Sequence, residues 1–176
     1  MNNAQNLRIL YLNAIAGSIV NSDLLIRAME SDLDNSAEIL SKSRNASGLR
    51  SIDREIADYF ESQIDLIRSD LVKLRDYARA ASEKVSSYLQ TQSEDDLDEL
   101  LARIDESKTY LAEIDENVSR FSESIRNEES NLHSKKYILA SYESNESIER
   151  LSDHVGQLFM IMLATEGSAM QCKITY

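Results

Sequence analysis

Apolar side chains recur every seven residues along most of this chain, and that spacing admits little besides long helices packed side by side. In the first stretch Leu12, Ile19, Ile26, Leu33 and Leu40 set the repeat, with Ile15 and Met29 on the same face. The run ends at Asn45-Ala46-Ser47-Gly48, where glycine can take a left-handed cap conformation. A first helix over about 4–45 follows.

The second stretch alternates steps of four and three through Phe60, Ile64, Ile67, Leu71, Leu74, Ala78, Ala81, Val85 and Tyr88. That is the a/d seam of a coiled coil, extended on a neighbouring face by Ile52 and Ile56. It predicts a helix over about 49–90, with close approach by a neighbour at the two alanines. A third helix starts near Ser93, which with Asp96 has the spacing of a capping box. Glu94, Asp95, Asp96, Asp98 and Glu99 put negative charge where the helix dipole welcomes it. Leu97, Ile104, Leu111, Val118 and Ile125 carry its repeat to about 127.

Beyond Ile125 the phase changes. The next stripe, Ile148, Leu151, Val155, Leu158 and Met162, is out of register by two residues, about 200° around a helix. One straight helix cannot bury both stripes. A turn at 127–134 leaves a fourth helix over about 135–166, capped by Gly167 and followed by a short tail, 168–176. The rival turn, at 143–147, gives three long helices plus a short one. The expected fold is all-α, a single domain built as an elongated antiparallel bundle of four long helices with coiled-coil-like packing.

Composition limits function. With 31 acidic against 19 basic side chains the net charge is −12, which argues against direct nucleic-acid binding and against attraction to anionic lipid. No metal or cofactor is expected, because His133, His154 and Cys172 are isolated and the four glycines form no phosphate loop. No catalytic residue announces itself, and a non-enzymatic chain is expected. The triplets at Asn45, Asn117 and Asn145 match the glycosylation pattern by chance in a chain with 25 serines. The apolar run at 9–20 reads as a buried helix rather than a signal peptide, and no stretch of the length of a membrane span stands out. The expected location is therefore cytoplasmic, with signal-independent secretion left open.

Two features stand above this background. Residues 93–145 carry 6 basic and 14 acidic side chains, two-thirds of the net charge. Asp95, Asp96, Asp98, Glu99, Glu113 and Glu116 would form an acidic stripe for a partner with a basic surface. The second feature is apolar residues nearly all round the helix at 9–20 and 158–164, where a bundle helix needs only a stripe. In an up-down-up-down bundle both lie at one pole, and Ile15, Ile19, Val20, Leu158, Phe159, Ile161 and Leu163 become candidate interface residues. The leading expectation is a protein-interaction or assembly protein that docks on a protein partner or forms a homo-oligomer through that pole. The alternative is an acidic inhibitor of a basic nucleic-acid-binding protein, a DNA mimic of the phage anti-defence kind. A third reading is a secreted or membrane-active assembly protein.

Overall fold

A computed structural model describes residues 3–46 and 48–175, leaving Ser47 of the Asn45 triplet and Tyr176 at the end of the chain outside the described residues. Four helices follow in order: α1 Asn3–Ala46, α2 Ser51–Thr91, α3 Glu94–Glu128 and α4 Lys135–Ile174. Each packs on its neighbours around a square, with α4 closing back on α1. Among the described residues the backbones of the diagonal pairs do not approach each other.

Polar pairs between helices fix the direction of each. Along α1 and α2, Arg44 meets Asp58 (2.6 Å), Asp34 meets Arg68 (2.6 Å) and Glu30 meets Arg75 (2.6 Å), so the partner number rises as the α1 number falls. Gln63 with Ser124 and Asp70 with Asn117 set α2 against α3 the same way. Lys108–Glu166 and Asp98–Lys173 do so for α3 and α4. Up-down-up-down topology follows. At about 1.5 Å per residue the 44 residues of α1 make a rod about 66 Å long.

The seam residues of α2 are all buried, from Phe60 to Tyr88. So are the heptad residues of α1 and α3. Ile52 is exposed instead, because it lies about 100° around α2 from the buried Asp53, off the inward face. Between α1 and α4 the core is unusually small and polar. Ser22, Ser36, Ser141, Ser144, Ser147 and Thr165 are all buried there. The Ser36 and Ser144 hydroxyls bond each other, and Asn35 donates to Ser147 at 2.7 Å. Small side chains let these two helices pack most closely of all.

The turn lies at 129–134, which settles the register slip in favour of four helices. Leu132 tucks under it, and the Ser134 hydroxyl caps α4 by accepting from the Tyr137 amide (3.2 Å). Buried Asp53 holds the turn from below by accepting from the His133 amide (2.9 Å).

Three local expectations need correction. Gly167 does not end α4, which runs on to Ile174 and adds Ala169 and Cys172 to the core. Most of the expected 168–176 tail is therefore helix. Ser93 does sit at the N-cap of α3, but its hydroxyl caps nothing. Asp96 turns away to accept from Ser87 (2.8 Å) and Thr91 (3.1 Å) on α2 instead. Beside Ala78 a cleft opens between α1 and α2.

Candidate functional site

The pole that holds the start of α1 and the end of α4 is built around Tyr88. The Arg8 guanidinium donates to the Tyr88 hydroxyl and lies 5.1 Å from its ring centre. The Cys172 thiol meets the same hydroxyl from α4 at 3.9 Å. Burial pushes the thiol's pKa up, against the opposing pull of Arg8. Cys172 is thus packed inside the pole and does not face solvent.

From Arg8 to Asp23, α1 has no charged side chain. Its inward residues Leu12, Ile15 and Ile19 join the core. Its outward residues include Leu10 (65% exposed), Val20 (60%) and Leu24 (60%), alongside Ala14 and Gly17. The adjoining stretch of α4, residues 155–172, has only Glu166 as a charge, and Lys108 pairs with it at 2.9 Å. Its outward residues include Met160 (64% exposed), Leu163 and Met170, and Ile174 follows just beyond it. Because α1 and α4 run antiparallel with Ser36 opposite Ser144 and Arg8 beside Cys172, these two uncharged faces lie at the same level of the rod.

The seven residues expected to form an apolar docking pole divide accordingly. Val20, Phe159 and Leu163 are exposed, and Ile161 is half-buried. Ile15, Ile19 and Leu158 are core residues and cannot meet a partner, because each falls on the inward heptad face of its helix. Leu10, Leu24, Met160, Met170 and Ile174 are exposed as well. Their signal in the sequence is the counter-phase: they sit half a turn away from the buried stripe.

The cleft between α1 and α2 adjoins this face. It has a volume of about 770 Å³, with Ile19, Ile26 and Ala78 at its floor and Val20 and Leu24 at its lip. Arg27 pairs with Asp23 at 3.0 Å and Arg75 with Glu30 at its rim, while Arg79 and Glu83 make no such pair. The rim is balanced in charge and offers no concentrated field to a small ion.

The six acidic candidates do not make one free stripe. Asp96 is buried against α2, Asp98 bonds Lys173, Glu99 bonds Lys84, and Glu116 bonds Arg120 at 2.7 Å. Asp95 and Glu113 are exposed and make no such pair among the described residues. Each histidine reaches an aspartate, His133 to Asp53 (3.4 Å) and His154 to Asp32 (3.3 Å). No group of three or more His, Cys, Asp or Glu side chains among the described residues could hold a metal ion.

One expectation about membranes changes. By length and composition alone α1 could cross a membrane, with an 18-residue window of mean hydropathy 1.5 that is 28% buried. Scattered Asn and Ser break any continuous apolar run in it, which hid the window from a reading based on consecutive apolar residues. A core helix passes the same test, and the inward face of α1 is core.

No protein-family model, no curated protein and no solved structure matches this chain.

Proposed function

We propose that this chain is a non-enzymatic interaction protein that docks on a protein partner through the uncharged outer faces of α1 and α4. The observation that supports it is the exposure of Leu10, Val20, Leu24, Met160 and Leu163 on two adjacent helices, along lengths that carry almost no charge. Each of these side chains lies outside the buried stripe of its helix. Exposed apolar surface of this kind marks contact sites. The acidic-inhibitor reading has weaker support, since four of its six carboxylates are tied up within the chain.

The test is affinity capture from the source organism with the wild type and with Leu10→Glu/Met160→Glu. Both positions are more than three-fifths exposed, so the variant keeps its fold, which circular dichroism verifies. Partners held by the wild type at low and high salt should be lost by this variant and kept by Asp95→Asn/Glu113→Gln. Capture that ignores the apolar substitutions and collapses with the acidic ones would overturn the reading.

A further inference from the structure

The outer face of α1 is close to a palindrome. Counting outward from Gly17, Ala14 and Val20 lie three residues away, Asn13 and Asn21 four, and Leu10 and Leu24 seven. All seven positions are exposed and lie on one side of the helix, opposite the buried Ile15 and Ile19. We propose that this face pairs with the same face of a second copy of the chain, the two α1 helices running antiparallel across a two-fold axis at Gly17. The proposal rests on reading the pole as a docking face and names its occupant.

A two-fold axis brings residue i of one copy to residue j of the other, and j to i. With the axis at Gly17, Leu10 meets the partner copy's Leu24, and Asn13 meets its Asn21. Ala14 then meets Val20. Leucine packs on leucine at both ends of the seam, and each asparagine finds an amide partner. Buried asparagine pairs of this kind set the register of helix pairs.

Gly17 supplies the second argument. A Cβ added there would meet nothing within 4 Å, so packing inside the chain does not call for glycine. Glycine in a helix interior is destabilising relative to alanine. At the centre of an exposed seam, its use is to let another backbone come close, as small residues do where helices cross. Gly156 and Gly167 on the outward face of α4 are equally open. They flank the level of Gly17 and would clear the approach of the second copy.

Charge supplies the third. A chain with net charge −12 repels its own copies over most of its surface. Residues 9–22 are the part of α1 where two copies can touch without placing like charges together. A basic partner would find nothing there to pair with. A hydrocarbon phase would strand Asn13 and Asn21, whereas a second copy satisfies them. The 10–24 seam spans about 21 Å, small beside a standard interface of roughly 1,600 Å². Met160 and Ala164 on α4 widen it, and the dimer is expected to be weak and concentration-dependent.

Sedimentation equilibrium of the full chain, from low micromolar to near-millimolar protein, tests this. The mass should rise from 20.0 kDa toward twice that value. Leu10→Glu and Leu24→Lys alone should each raise the dimer dissociation constant about tenfold or more. Leu10→Glu/Leu24→Lys in one chain should restore it, because the substituted side chains face each other across the axis. Gly17→Leu should leave helix content intact and weaken the dimer as strongly. A chain that stays at 20.0 kDa throughout overturns the proposal, whether or not it floats with phosphatidylcholine vesicles. So does a dimer that survives Gly17→Leu or that the double variant fails to restore. These failures would leave the broader docking reading to the capture experiment, where indifference to Leu10→Glu/Met160→Glu together with collapse on Asp95→Asn/Glu113→Gln removes it.

Discussion

Gly48 and Gln92 share a left-handed backbone, with φ of 56° and 57°, and only one of them is suited to it. Gly48 opens the α1–α2 turn without penalty, since it has no Cβ to clash. Gln92 closes α2, its amide donating to the Tyr88 carbonyl at 2.8 Å, and a side chain in that region costs about 1 kcal/mol. Gln92→Gly is therefore expected to raise stability by about 1 kcal/mol and Gly48→Ala to lower it by a similar amount, measured by urea denaturation. The first turn was legible from its glycine and the second was not, because glutamine gives no sign of a left-handed cap. Tyr77 shows a different kind of cost. Its hydroxyl is buried with no hydrogen-bond partner among the described residues, and burial pushes its pKa from 10.0 up to about 12. The neutral phenol is favoured in the folded chain, so its contribution is complete below pH 10. It is lost as the pH rises through the folded value. Burial pushes the Tyr137 phenol up as well. Stability should fall above pH 10, and Tyr77→Phe should reduce that fall. At pH 7 the same substitution should be neutral or stabilising by roughly 1 kcal/mol, since it removes an unpaired buried hydroxyl. Thermal melts at pH 7 and pH 11 check both.

Helices α1, α2 and α3 could be located from the sequence to within a few residues, because burial on a single face imposes a heptad that leucine and isoleucine display clearly. The end of α4 could not. Its inward positions pass from Met162 to Thr165, Ala169 and Cys172, still in steps of three and four, but small or polar residues do not register as an apolar stripe. Gly167 then looked like a stop, although it lies on the outward face, where a glycine costs a little helix stability and breaks nothing. Ending the chain after Glu166 should expose Tyr88 and remove the Lys173–Asp98 pair, lowering stability by roughly 2–4 kcal/mol in a urea melt. The α1–α4 contact hid its character in the same way. Serines read as surface, yet Ser36 and Ser144 are fully buried and bonded to each other. Ser144→Leu should cost about 1–3 kcal/mol by forcing apart two helices spaced for hydroxyls. The candidate docking face suffered most from this ambiguity. The heptad phase already placed Ile15, Ile19 and Leu158 inward, but a face drawn from runs that are apolar all round mixes those core positions with outward ones such as Leu10 and Met160.

At the scale of the molecule, stability and association draw on the same residue. In the proposed dimer Gly17 weakens α1 of the single chain and lets two chains cross closely, so a larger side chain there should have opposite effects in the two states. A partner that binds the folded chain alone raises its melting temperature by mass action, and self-association makes that temperature rise with protein concentration. The wild type should therefore melt higher at high concentration than at low. Gly17→Leu has better helix propensity and open space for its side chain, and should gain up to about 1 kcal/mol in the isolated chain. That corresponds to roughly 2–4 °C for a chain of this size. Its melting temperature should not depend on concentration. The two curves, followed by circular dichroism at dilute and concentrated protein, are expected to converge or cross as concentration rises, with the variant the more stable when dilute. Parallel curves would mean that Gly17 affects only the helix it belongs to. The crossing separates a glycine kept for an interface from one that merely weakens a helix, and it does so without knowing any other partner of the chain.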